Sequence, residues 1–427
     1  MLIALSLAKF VYDVRRLTYP VNDLTVSWVA SKAFIEGKNP YSDISELERI
    51  WATTGISSAD GCTDYKSILE LSPMGYLPPA LPILAVLTPM PWRAAVYVYL
   101  AGSTALFVAM LLMLARKLEL PWSDPRRMYF VALALAMAPL HTGVHQSNLN
   151  TLTIAFLGLG VVFLAKRPYW SGIAFALGLC LKPQVAFLFF AYPWLRRKWK
   201  TALSGLAACA AISSCSLLWM HFHHIEWLSA YRDSLWKLGS LPGGVNDFYG
   251  AGPGKFEMVN LQVLAFQFTH SPHASAVVSW AVFLLLAIVS GFLINAKVSD
   301  RNEGLGIAIV SVLTLFPVYQ RIYTAALLVF VIYWALGNWR LTSAKASLML
   351  MLPLLLPLVA MTRVGALAGF VDRHNLDSHF LWNAVILPHV IWIELFLAAI
   401  LSAVLYGTPA IRRATSTATP EVDLNEG

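Results

Sequence analysis

Between residues 141 and 184 the chain sets imidazoles, amides and Lys182 against apolar runs: His141, His145-Gln146-Ser147-Asn148 and Lys182-Pro183-Gln184. Polar and ionisable groups within membrane-type sequence are costly there and mark a functional path. The neutral amides Gln146 and Asn148 suit sugar hydroxyls, although a polar helix-hairpin turn needs the same residues. The Lys182 ammonium suits a phosphate in a low-dielectric pocket; its bland reading is a side chain snorkelling to the interface. Asn260, Gln262, Tyr319, Gln320 and Arg321 form a second polar group, in which the Arg321 guanidinium matches phosphate oxygens. One carboxylate, Asp23, precedes an apolar helical stretch. It is placed to act as a general base toward a hydroxyl acceptor, and equally to cap the helix that follows. His141 and His145 are four apart and share a helical face. Two histidines fall short of a metal site, and the denser group His221, His223, His224 and Glu226 reads as a membrane edge beside Trp219, Trp227 and Trp236. No metal and no cofactor are expected.

These residues must be positioned by membrane helices. The chain of 427 residues is 58% hydrophobic and 13% charged, with apolar runs along nearly its whole length. Runs of about 20 apolar residues span a bilayer as helices, whereas a membrane barrel shows alternating segments of about ten. The formal charge of +8 does not point to nucleic acid. The basic residues gather in short loops (Arg116, Lys117, Arg126, Arg127; Lys166, Arg167; Arg196 to Lys200; Lys297, Arg301; Arg340, Lys345; Arg412, Arg413), which is the positive-inside pattern. Placing those loops in the cytoplasm gives about twelve crossings with both ends inside. The expected fold class is all-α and polytopic, one domain over 1–413 with external loops near 15–78, 221–258 and 362–379. Residues 414–427 form a polar tail expected to be disordered in the cytoplasm. The four cysteines suggest no disulfide framework, and Met1 to Tyr12 lacks a cleavage site and reads as a short first crossing.

With this topology Asp23, the 145–148 turn, Lys182, Gln184, Asn260, Gln262 and 319–321 all fall at outer helix ends. The segments Tyr169 to Leu181 and Gln184 to Leu195 are each near 20 Å long, against a hydrocarbon thickness of about 30 Å. Their turn at Lys182-Pro183 is therefore expected below the outer surface, lining a protein-enclosed cavity. In the first external loop, Val26, Val29, Ala30, Ala33 and Phe34 give one apolar helical face, and Gly37-Lys38-Asn39-Pro40 stops that helix.

Asp23, the Gly-x-x-Pro-Tyr element of Gly37 to Tyr41, the Tyr-x-Pro-Pro element of Tyr76 to Pro79, the Gln146-x-Asn148 turn and the hairpin of Gly172 to Pro183 occur in that order. The arrangement, over about residues 10 to 340, resembles glycosyltransferase family 87, the polyprenyl-phosphate-mannose-dependent mannosyltransferase-like proteins of GT-C fold. The resemblance implies a hexosyltransferase of the cell membrane. It would move mannose or another hexose, with inversion, from a polyprenyl-phosphate donor to a glycolipid or glycan hydroxyl on the extracytoplasmic face. It also implies that Asp23 is the catalytic base, that Lys182 and Arg321 hold the departing phosphate, and that Gln146 and Asn148 orient the sugar or phosphate. His145, Tyr319, Gln320, Asn260 and Gln262 would complete the substrate site, with membrane lipid as a further partner. A transporter or flippase of a lipid-linked glycan is the competing reading, because broken helices with polar residues serve transport too. Transport predicts polar groups leading to both faces and inverted repeats; here the groups gather on one side and no repeat is visible.

Overall fold

The computed structural model describes residues 1–16, 23–55, 74–118, 120, 121, 123–240, 258–317, 320–355, 371, 373, 374, 376 and 379–408, apart from the side chains of 14–16, 239 and 240. The described residues are helical, with two isolated antiparallel bridges, Met137 to Leu355 and Met258 to Arg321. The helices are α1 Leu2–Arg16, α2 Asp23–Ile35, α3 Ile44–Ala52, α4 Ala80–Ala85, α5 Trp92–Lys117, α6 Arg126–Leu135, α7 Ala138–His145, α8 Asn150–Phe163, α9 Pro168–Leu181 and α10 Pro183–Leu195. They continue with α11 Trp199–Phe222, α12 Trp227–Ser240, α13 Leu261–Thr269, α14 Pro272–Lys297, α15 Glu303–Leu313, a 3-10 helix Ile322–Leu328, α16 Val329–Gly337, α17 Thr342–Leu350 and α18 His389–Gly407.

Among the described residues, four helices, α5, α11, α14 and α18, are each long and apolar enough to cross a bilayer. Shorter apolar helices, α8, α9, α15 and the run Ile322–Gly337, pack among them. The all-helical expectation therefore holds. The expected tail of 414–427, the external loop 241–257 and most of the segment 362–378 lie outside the described residues.

Two apolar cores organise the molecule. The larger includes Phe107, Leu140, Ile154, Val185, Phe189 and Phe330. The smaller gathers α2, α3, α4 and the start of α5, and reaches Val144, Leu149 and Leu181. The residues flanking the 145–148 turn and the residue before Lys182 thus belong to the smaller core, while Leu140, Ile154 and Val185 belong to the larger. The 145–148 turn and Lys182 therefore sit at the seam. Among membrane helices, close packing and interhelical hydrogen bonds hold such a seam closed.

Local chemistry sets the helix ends that matter. Gly37, at φ +72°, ends α2. Its N–H donates to the Phe34 carbonyl and the Lys38 N–H to the Ala33 carbonyl, a Schellman turn whose left-handed position favours glycine. After Leu77-Pro78-Pro79 the chain forms α4. The apolar run 128–140 is not one helix: it breaks at Ala136-Met137 and restarts as α7 through His145. Pro139 has no N–H to give Leu135, four residues earlier, so the regular ladder stops there. Helices α9 and α11 approach backbone to backbone at Gly172 and Gly205, where a Cβ on Gly172 would lie 2.3 Å from the Thr201 carbonyl oxygen.

Candidate active site

Asp23 is the first residue of α2. Its N–H donates to the Gln146 carbonyl at 3.1 Å, and one carboxylate oxygen, Oδ2, accepts from Asn148 Nδ2. The partner of both contacts is the turn after α7. The Ser147 N–H bonds Val144 and the Asn148 N–H bonds Gly143, again the Schellman pattern. Ser147 occupies its left-handed position at φ 48°, where glycine is the usual residue. Asn148 is buried, and its amide is used from both ends. Nδ2 faces Asp23, and Oδ1 accepts from Lys182 Nζ at 2.7 Å and from the Asn150 N–H at 2.9 Å. One carboxamide therefore sits between a carboxylate and an ammonium.

Lys182 is the single residue joining α9 to α10. Pro183 forces the residue before it out of the helical region, and Lys182 lies at φ −144°, ψ 86°. This break turns its side chain inward, where the residue is only 4% exposed. Nζ lies 5.0 Å from the centre of the Tyr323 ring and 5.7 Å from that of Tyr76, favourable positions for a cation. Asp23 and Arg321 lie within electrostatic reach of the ammonium. Among the described residues no carboxylate comes within 4 Å of it. An ammonium carries three donors, and a buried one held only by a neutral amide and two π-faces is suited to receive an anion.

A second set of contacts holds this set in place. The Tyr99 hydroxyl on α5 donates to the Asn148 carbonyl at 2.8 Å. Asn150 Nδ2 donates to Thr324 Oγ1 at 2.9 Å, tying the turn to the 3-10 helix. Gly143 faces the same helix, with Tyr323 Cβ 3.5 Å from where its own Cβ would lie. The Gly37-to-Tyr41 element acts at a distance: Asn39 Nδ2 donates to the Glu226 carbonyl and the Tyr41 hydroxyl to the Tyr76 carbonyl at 2.9 Å. Burial pushes the Tyr41 phenol well above its ordinary range, which keeps that donor protonated. The motif thereby holds Tyr76 against Lys182. On the exposed side of α3, Arg49 pairs with Glu36 and Glu46 and holds the Glu46 carboxyl below its usual range.

The other expected substrate residues separate into groups. The Arg321 backbone bridges to Met258, and Val259 N–H donates to the Gln320 carbonyl, so 258–260 and 320–321 run side by side. The Gln320 side chain turns away to the Gln184 and Thr314 carbonyls, where it braces α10. Asn260 caps α13 through Oδ1, and its buried Nδ2 has no partner among the described residues. Gln262 is half-buried on the first turn of α13, and Tyr319 lies outside the described residues. His145 faces Asp13 of α1, with Nδ1 3.5 Å from Oδ1. Among the described residues, no three His, Cys, Asp or Glu side chains are grouped so as to hold a metal ion. Instead His223 stacks on Trp219 at 4.1 Å.

The family profile described as Glycosyltransferase family 87 matches residues 75–318. The chain belongs to glycosyltransferase family 87. The matched segment takes in Tyr76, Tyr99, Gln146, Asn148 and Lys182, and ends short of Asp23 on one side and Arg321 on the other. Folding is what delivers Asp23 to the family segment, through the Gln146 carbonyl and the Asn148 amide. Comparison with curated proteins gave no match. Membership of family 87, with the long apolar helices, makes this chain a membrane glycosyltransferase that takes a sugar donor and an acceptor. Tyr323, Tyr99, Asn150, Thr324 and Asp13 were not singled out by sequence. Tyrosines are common in such chains, and their relevance shows only once Lys182 and Asn148 are seen beneath them.

Proposed function

We propose that this family 87 enzyme transfers a hexose, mannose in the first instance, from a polyprenyl-phosphate donor to a hydroxyl of a glycolipid or glycan. The transfer takes place on the extracytoplasmic face of the cell membrane, in a GT-C fold of about twelve crossings. The observation that carries the reading is the Asp23–Asn148–Lys182 relay. A carboxylate and a buried ammonium short of anionic partners are held on opposite ends of one amide.

The chemistry follows from that spacing. The acceptor hydroxyl attacks the anomeric carbon as the bond to the phosphate oxygen breaks, with inversion. Asp23 takes the hydroxyl proton. The phosphate monoester gains negative charge as it leaves, and Lys182, with Arg321 beside it, stabilises that charge in a pocket of low dielectric. Asn148 keeps base and cation apart, so that they do not neutralise each other in a direct ion pair. Gln146 orients the sugar. Membership of family 87 favours the enzyme over a transporter.

The test is transfer by the purified protein in proteoliposomes. Radiolabelled polyprenyl-phosphate-mannose should give labelled glycolipid from an envelope lipid extract, and polyprenyl-phosphate-glucose less. Transfer from a nucleotide sugar with none from the lipid donor would overturn the donor assignment.

A further inference from the structure

Asp13 is a fully buried carboxylate in α1, a helix whose neighbouring Ile3, Leu5, Leu7, Val11 and Tyr12 are exposed apolar side chains. An ionisable group in such a helix is costly and is kept for a reason. Its partners are Lys9 on its own helix and the two histidines of α7. Lys9 Nζ and His145 Nδ1, the latter at 3.5 Å, approach Oδ1; His141 Nδ1 lies 3.8 Å from Oδ2. These are the titratable groups that face Asp13 among the described residues. Helix α6, which also packs on α1, directs Arg126 to Asp124 and Arg127 to the Leu118 and Leu120 carbonyls.

The backbone fixes where the protons are. Because Pro139 has no N–H, the Leu135 carbonyl is without its ladder donor, and His141 Nε2 lies 2.8 Å from it. A carbonyl only accepts, so Nε2 carries a hydrogen. A neutral His141 then has a lone pair at Nδ1, aimed at the lone pairs of Asp13 Oδ2. Neither atom has a hydrogen-bond partner among the described residues. Two acceptors facing each other in a buried site repel, and a proton between them converts the contact into a charge-assisted bond. His145, four residues on and 46% exposed in its side chain, completes the group and connects it to solvent. Just beyond lie Gln146, whose carbonyl accepts from the Asp23 N–H, and Asn148, whose amide donates to the Asp23 carboxylate.

We propose that Asp13 is a positioning residue: a proton held between its carboxylate and the His141–His145 pair fastens the end of α7 to α1 and so sets the place of the Asp23 carboxylate. This rests on Asp23 being the base. Helix α7 is clamped from both sides, by Asp13 through its histidines and by Tyr323 against Gly143. Releasing the first clamp lets the 146–148 turn shift, and a displacement of about 1 Å at a reacting group costs up to about a hundredfold in rate. The clamp is closed while the Asp13 carboxylate holds the two imidazoles, and it opens when that carboxylate is removed.

The experiment has two readouts on the full-length protein in detergent micelles. Diethyl pyrocarbonate modifies unprotonated imidazole, and mass spectrometry reports its rate at His145 between about pH 5 and 9. In Asp13→Asn the His145 rate at neutral pH should rise about tenfold, because the imidazole loses the carboxylate that faces it. Transfer assays on the same variant should show kcat down about tenfold or more, with KM for donor and acceptor unchanged. His145→Gln, at a partly exposed position, should give the same kcat loss, and labelling of the wild type needs no variant at all. An unchanged His145 rate in Asp13→Asn, a kcat that stays at the wild-type level, or a KM that rises in place of a fall in kcat would each overturn the proposal. Retained turnover in Asp23→Asn would instead remove the parent reading and leave the labelling result standing.

Discussion

Asp23→Asn is expected to lower kcat by about a thousandfold or more while the protein stays folded and inserted, because a positioned general base contributes 10²- to 10⁴-fold. The substitution is close to isosteric. An asparagine oxygen at position 23 can still accept from Asn148 Nδ2, and the N–H to the Gln146 carbonyl is untouched. What is lost is the ability to take a proton. Helix α2 should keep its place, since Leu24, Trp28, Val29 and Phe34 bury its side chains in the smaller core. The measurement is single-turnover transfer with saturating donor, alongside a thermal melt. A variant that melts with the wild type but does not turn over assigns Asp23 to the chemistry; one that turns over normally removes it.

Lys182→Met should act mainly through the donor. Loss of an electrostatic contact to developing charge costs about 10²- to 10³-fold in kcat, and in the proposed mechanism the cation meets the leaving phosphate and not the acceptor. The donor kcat/KM should fall by that amount, with the acceptor KM nearly constant. Stability should move the other way or not at all. A buried ammonium without a carboxylate partner among the described residues carries a desolvation cost, and an apolar side chain of similar length relieves it. Lys182→Arg should rescue poorly, because the wider guanidinium must fit between Asn148, Tyr76 and Tyr323. Equal loss for donor and acceptor, or a melting temperature that drops with activity, would make Lys182 a structural residue.

Much of this arrangement was legible in the chain because its signals are local. The apolar face from Val26 to Phe34 and the stop at Gly37 define α2; Lys182-Pro183 breaks a helix whatever surrounds it; and the Gln146-to-Asn148 turn separates two apolar runs. What sequence left open depends on contacts between distant segments. Asp23 reads equally well as a helix cap or a base, and its contact with Asn148, 125 residues away, has no trace in the local sequence. Gln320 and Asn260 have side chains suited to substrate, yet one braces α10 and the other caps α13. Asp13 gave no signal, since one acid in an apolar helix looks like an interfacial residue until His141 and His145 are seen across from it. The break at Pro139 was missed because 128–140 reads as a continuous apolar run, and a proline near the start of a helix is tolerated as often as it ends one.

The central claim is that these residues meet in one pocket opening away from the cytoplasm, and cysteine accessibility tests it. In a background without the four native cysteines, Ser45→Cys on α3, His145→Cys beside the turn and Lys166→Cys after α8 offer exposed side chains. A membrane-impermeant maleimide added to intact cells should label positions 45 and 145, and position 166 only after the membrane is opened. Labelling of 166 from outside, or of 45 and 145 on opposite sides of the bilayer, would contradict the account.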